Sequence, residues 1–121
     1  IETLWRCGEK LAEDVVGLVA SHGLESHISL QGFAPWMLVT AQDHAQASGQ
    51  AVKTMLIYEL AARGVLSLGS HNISYAHGEE DMAQAVGAYD GALGAIRVAL
   101  DSGDFEARMK VPPLVPVFAV R

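Results

Sequence analysis

The residues whose types could support chemistry cluster between positions 63 and 82. This stretch holds His71 and His77, two of the five histidines, and the acidic run 79–81. The spacing matches no established zinc pattern, and a metal would need further ligands. The acidic run could supply a pair of catalytic carboxylates. Its place at the expected start of a helix explains it without catalysis, because negative charge there meets the positive end of the helix dipole.

Each histidine of this stretch has a structural interpretation beside a functional one. For His77 we favour a residue at the start of a helix whose ring bonds to nearby backbone. For His71 two interpretations stay open, a solvated loop residue and a residue that faces a ligand.

Nucleophilic chemistry has no visible motif. The chain lacks Gly-x-Ser-x-Gly, a glycine-rich phosphate loop and a Cys-His constellation, and Cys7 is its single cysteine. A Schiff-base lysine needs a desolvated position, whereas Lys53 lies beside an apolar helical stripe and is expected to keep its ammonium group in water. Lys10 and Lys110 are expected to be equally exposed. Taken alone, the residues predict no catalytic, cofactor-binding or metal site.

Apolar residues at three- and four-residue spacing predict three helices. One runs from the start of the chain to about His22, a second from an N-cap at Ser48 to Gly64, and a third from about residue 79 to Ser102. Gly23 and Gly64 are placed to end the first two as left-handed C′ residues of Schellman motifs.

Strands are predicted at 27–33 and 34–40 with a break at 32–35, and at 73–75, where Ile73 and Tyr75 alternate with small residues. Residues 65–66 form a very short strand or an extended link, and 67–72 a loop. The proline-containing end is expected to pack on a surface as an extended tail. The chain is therefore predicted to be a single α+β domain, 1–121. It has a three- to four-stranded, mostly antiparallel sheet with three helices on one face, and the other face needs a partner.

Bulk composition excludes some functions. The net charge is −6 and no stretch clusters Lys and Arg, which argues against nucleic-acid binding. No apolar run approaches the length of a membrane span. Half the residues are apolar, which indicates either a face that something else covers or simply an Ala- and Gly-rich helical protein. The chain opens at Ile1 within a helical pattern, and we expect it to be a piece of a longer protein.

The order of these elements resembles the small C-terminal domain of class III pyridoxal-phosphate aminotransferases, the family that includes glutamate-1-semialdehyde 2,1-aminomutase. The resemblance rests on His22-Gly23-Leu24, Gly32, Pro35, the helix end 61–65, His71-Asn72-Ile73-Ser74-Tyr75-Ala76-His77, Glu80-Asp81 and Pro116-Val117-Phe118. It covers essentially the whole chain.

The resemblance implies the small domain of a fold-type I pyridoxal-phosphate enzyme. A large N-terminal domain of the same polypeptide would hold the coenzyme and its lysine, and the enzyme would be a cytoplasmic homodimer acting on a small amino or keto substrate. The loop 67–72 would face that substrate through Ser70, His71 and Asn72, as orienting groups. The loop lacks the acidic residue of aminomutase-like relatives and the carboxylate-binding arginine of many transaminases. The resemblance therefore indicates the class III enzymes as a group and not one particular reaction.

We therefore expect a C-terminal fragment that closes a substrate pocket and supports dimerisation. It would be inactive by itself and would bind no coenzyme alone. The alternative is a stand-alone α+β module that dimerises or binds a partner without catalysis.

Overall fold

The computed structural model describes residues 1–116, which form three helices and one three-stranded antiparallel sheet. The elements in chain order are α1 (Glu2–Ser21), β1 (Ile28–Phe33), β2 (Trp36–Ala41), α2 (Gly49–Ala62), β3 (Ser70–Asn72), α3 (Glu79–Asp101) and a single 3₁₀ turn (Glu106–Arg108). The strands lie in the order β1-β2-β3. The α+β class predicted from the sequence is confirmed.

Two helices end as their glycines predict. Gly23 has φ 67°, and the backbone N–H of Leu24 donates to the carbonyl of Val19 at 2.9 Å, which is the long bond of a Schellman motif. Gly64, at φ 85°, ends α2 with the same pair of bonds. At the other end of α2, the hydroxyl of Ser48 accepts from the N–H of Ala51 at 3.1 Å, so the predicted N-cap is confirmed.

The first two strands form a hairpin with a two-residue turn. Phe33 pairs with Trp36, so only Ala34 and Pro35 connect the strands. Pro35 thus lies where its missing N–H removes no ladder bond. Gly32 lies inside β1, at φ 116°, and not in the break between the strands. The break was therefore predicted to begin two residues too early.

The third strand differs from the prediction. It is formed by Ser70–Asn72, within the segment expected to be a loop, and not by residues 73–75. His71 pairs with Met37, and the N–H of Ile73 donates to the carbonyl of Pro35 at 3.0 Å. Polar residues occupy both faces of this strand, so it lacks the polar–apolar alternation that predicts a strand from sequence.

The core lies between one face of the sheet and the helices. Helices α1 and α2 pack on the sheet, and α3 packs on both of them. The largest fully buried side chains are those of Leu24, Leu56, Leu60, Leu93, Ile96, Val15, Val39 and Val52. All the α1 stripe positions from Leu4 to Val19 are buried or half-buried, which confirms the helical pattern.

The opposite face of the sheet is open. Phe33, Trp36 and Leu38 are 70%, 58% and 46% exposed, and with Ser70 and Asn72 they lie on the face that the helices leave uncovered. We call these five residues the open face. It agrees with the expectation of a sheet face without cover.

The described part of the tail packs only in places, since Val111, Leu114 and Val115 are 44%, 53% and 81% exposed. The side chain of Phe105 is buried, and the N–H of Leu114 donates to the hydroxyl of Thr54 on α2 at 2.9 Å. Val117 and Phe118, which the resemblance also used, lie outside the described residues. Among the helices of residues 1–116, none combines the length and hydropathy needed to cross a bilayer.

Helix α1 approaches the hairpin turn at Gly8. A Cβ atom at this position would lie 2.0 Å from the carbonyl oxygen of Ala34, which is a backbone atom and cannot rotate away. We expect Gly8→Ala to lower the free energy of unfolding by about 1–3 kcal/mol, because the helix must move off the turn. Urea denaturation followed by circular dichroism measures this change.

The control is Gly17→Ala in the same helix, where no atom lies within 4 Å of the added methyl group. This variant should gain about 0.5–1 kcal/mol, because alanine favours helix over glycine. Equal effects of the two substitutions would contradict close packing at Gly8.

Candidate functional site

A cavity of about 510 Å³ lies between the segment 64–73 and the first half of α3. Ser70, His71 and Asn72, the three residues predicted to face a substrate, all line it. The segment that forms one wall begins at the Schellman motif of α2 and ends with β3. The structure therefore brings the three residues to one cavity at the edge of the sheet.

The three residues lie in two different environments. Ser70 and Asn72 belong to the open face, and the amide nitrogen of Asn72 donates to the Ser70 hydroxyl at 3.3 Å. His71 alternates to the core side and is only 6% exposed. Two polar side chains are thus accessible to a ligand or partner on the open face, while the imidazole is enclosed.

His71 forms a buried pair with Tyr89 of α3. Its Nε2 lies 2.7 Å from the Tyr89 hydroxyl, and the two rings meet edge to face. Burial lowers the pKa of the His71 imidazole and raises the pKa of the Tyr89 hydroxyl. Both groups are therefore neutral at neutral pH, and the pair brings no charge to the cavity.

Tyr89 is the site residue that sequence reasoning missed. It is one of the regularly spaced residues that predict α3, and this spacing alone assigns it no role in a site. Its hydroxyl was the available signal, since a buried tyrosine hydroxyl usually finds a hydrogen-bond partner. The identity of that partner, 18 residues away along the chain, could not be read from spacing.

The rim of the cavity carries His77 and Asp81, both exposed. The Nδ1 atom of His77 accepts from the N–H of Ser74 at 3.2 Å, which confirms the backbone-bonding role expected for this histidine. Asp81 accepts from the N–H of Gly78 at 2.7 Å and so caps α3. Within residues 1–116, no three side chains of His, Cys, Asp or Glu come together as a metal site.

The three lysines differ in their local contacts. Lys53 lies against Gly69, where a Cβ atom would come within 2.4 Å of the lysine Cε. Lys10 pairs with Asp14 on the surface of α1. The ammonium of Lys110 lies over the Tyr58 ring at 6.0 Å from its centroid. Lys53 is half-buried, whereas Lys10 and Lys110 are exposed.

A second histidine pair lies at the far end of the sheet. The rings of His27 and His44 stack with centroids 4.1 Å apart, and His27 is 7% exposed. Burial, and then the neighbouring His44 and Arg97, lower the pKa of His27. This pair is remote in sequence from the cavity, and the lowered pKa of His27 matters here because it adds to the pH dependence of stability.

No family model, curated protein or solved structure matches this chain.

The buried histidines predict a loss of stability in acid. In the unfolded chain His71 takes up a proton near its ordinary pKa of 6.5, whereas the folded chain holds this pKa lower. The unfolded state then binds more protons, so the free energy of unfolding falls as the pH drops through about 6.5. Denaturant titrations at a series of pH values from about 7.5 to about 5 measure this slope.

The variant His71→Gln should lose part of that pH dependence, and His27→Gln should lose another part. Ring signals of His71 followed by NMR should titrate below the value for an unfolded histidine. A slope that neither variant changes would show that these two groups do not cause it.

Proposed function

We propose that this chain is the small C-terminal domain of a class III pyridoxal-phosphate-dependent enzyme, similar to glutamate-1-semialdehyde 2,1-aminomutase. In this proposal a large domain of the same polypeptide holds the coenzyme, and the present chain closes the substrate pocket. The parent enzyme transfers an amino group on a small amino or keto substrate, works as a homodimer and is cytoplasmic. The proposal rests on the sequence resemblance together with one feature of the fold.

That feature is the open face of the sheet. Phe33 and Trp36 are more than half exposed at the turn end of the hairpin, and Leu38 lies beside them on β2. Aromatic side chains grouped in this way are typical of a surface that another protein layer covers. The observation supports docking, and a large domain of the same chain is the occupant that the resemblance implies.

The polar part of the open face supports a role at a substrate pocket. Ser70 and Asn72 lie on β3 next to Trp36 and Leu38, with which they pair across the strands. A domain seated on the aromatic side chains would bring this hydroxyl and amide to its own boundary. Neither group is charged, so they suit orientation of a substrate better than proton transfer.

In this proposal the large domain holds the coenzyme, which is why we assign the chain no activity alone. On addition of pyridoxal phosphate and borohydride, we expect no stoichiometric adduct at Lys53, because this side chain packs along the Gly69 backbone and a Schiff-base lysine needs a desolvated site that holds the coenzyme. Mass spectrometry of peptides measures the adduct, with Lys53→Arg as the background control. A full adduct that disappears in Lys53→Arg would overturn this assignment.

Trp36 provides a sharper test in the full-length protein. If the large domain covers the open face, Trp36→Glu places a charge in that boundary and should lower the transamination rate about tenfold or more. Val98→Glu is the matched control, since Val98 is 60% exposed on α3, away from the sheet. The control should keep the rate, and both variants should unfold at the same denaturant concentration as the parent.

Two results would contradict the proposal. One is a reading frame upstream of Ile1 that encodes no coenzyme-binding domain. The other is equal activity of the Trp36→Glu and Val98→Glu proteins. Concentration-dependent association of the 121-residue chain by sedimentation, abolished by Trp36→Glu, would instead support the stand-alone dimerisation module, which would use the same open face.

A further inference from the structure

We propose that residues 110–116, which read Lys-Val-Pro-Pro-Leu-Val-Pro, dock into a protein domain whose groove has aromatic walls and carboxylates at one end. We call these residues the proline segment. It lies against α2, which covers the inner face of the sheet, and it shares no residue with the open face. The inference therefore does not rest on the proposed function, and a failure of either leaves the other standing.

The backbone of the proline segment is restricted to an extended conformation. A proline ring fixes φ at about −65°, and the residue before a proline is disfavoured in the helical region. The three prolines therefore restrict positions 111–113, 115 and 116. Met109, just before the segment, has φ −73° and ψ 137°, which is the polyproline II conformation. A segment ordered in this way loses little backbone entropy when it enters a groove.

The proline segment is presented at the surface of the molecule. Six of its seven residues are exposed, and only Pro113 is half-buried. The N–H of Leu114 donates to the hydroxyl of Thr54 at 2.9 Å and holds the segment on α2. No carbonyl group of the segment accepts a hydrogen bond from the residues that the structure describes. These carbonyls are therefore available to donors in a groove, as in other polyproline II ligands.

The spacing of the residues matches the repeat of a polyproline II helix. With three residues per turn, the side chains form three edges. The first edge holds positions 110, 113 and 116, the second 112 and 115, and the third 111 and 114. A groove that receives the first two edges meets two dipeptides that end in proline, with a lysine in front of them. Docking in this register lifts Pro113 from α2 and gives up the Leu114–Thr54 hydrogen bond.

Charge defines one end of the groove. The chain has a net charge of −6, yet residues 107–116 contain Arg108 and Lys110 and no acidic residue. Neither cation forms an ion pair with a described residue. The residues after Lys110 are uncharged and apolar. A complementary groove thus offers aromatic walls to the prolines and a carboxylate to Lys110.

The test uses as its probe an SH3 domain whose groove carries carboxylates for a leading basic residue. The probe is isotopically labelled and titrated with the 121-residue chain, and NMR signals of its groove aromatic side chains report binding. These signals should shift saturably at micromolar concentrations of the chain. A second form of the probe, with the groove carboxylates changed to amides, should bind about fivefold more weakly or less. Added salt should weaken binding to the first form, because the charge pair is exposed to solvent.

Matched substitutions test the three-residue register. We expect Pro116→Ala to weaken binding about tenfold, because a ring is removed from the groove. Lys110→Glu should weaken it about tenfold or more, because the new charge meets the carboxylates. Val111→Ala is the control and should leave the affinity unchanged, since the third edge faces away from the groove. All three positions are exposed, so the variants should unfold at the same urea concentration as the parent.

Three results would overturn the proposal. The first is the absence of saturable shifts at concentrations of the chain up to about 1 mM. The second is equal weakening by Val111→Ala and Pro116→Ala, which would indicate apolar contact without the polyproline II register. The third is equal affinity of the chain for the two forms of the probe. None of these measurements involves the open face, so they do not test the proposed function.

Discussion

The three helices cover one face of the three-stranded sheet and leave the other face open. This one-sided packing determines which side chains of the sheet stay in contact with water. Helices α1 and α2 occupy the inner face, and α3 packs mainly on these two helices and reaches the sheet through the contact of Tyr89 with His71. Phe33, Trp36 and Leu38 are consequently left in contact with water. Burial of such a side chain contributes about 1.5–3 kcal/mol relative to full exposure, so a partner that covered all three would gain several kilocalories per mole before the costs of association.

The edge strand β3 connects this open face to the interior. Side chains alternate along a strand, so Ser70 and Asn72 point to one side and His71 to the other. Three consecutive polar residues therefore meet two environments, an accessible surface and an enclosed wall. Strand β3 is therefore the element that the cavity wall and the open face share.

The helices were predictable because their signals are local. The apolar spacing of α1 and α3 and the glycines at positions 23 and 64 determine where helices begin and end. Strand β3 was not predictable in the same way, because its pairing with β2 depends on residues more than 30 positions away, and its polar side chains hide the alternation. The candidate site also combines local and long-range information. The resemblance singled out residues 70–72 from the sequence, whereas the contact of His71 with Tyr89 depends on the packing of α3.

That contact also explains how so short a strand can keep its position at the edge of the sheet. Three residues supply few ladder bonds, and a strand of this length is weak by itself. The carbonyl of Gly69 and the N–H of Ile73 extend the pairing along β2 at 2.8 Å and 3.0 Å. The His71–Tyr89 hydrogen bond then joins β3 to the third helix, which otherwise contacts mainly α1 and α2. Because both partners are buried and neutral, the bond escapes the screening and desolvation costs of an ion pair. The buried Nδ1 atom of His71 has no hydrogen-bond partner among the described residues, and this unpaired polar atom is the remaining cost of the arrangement.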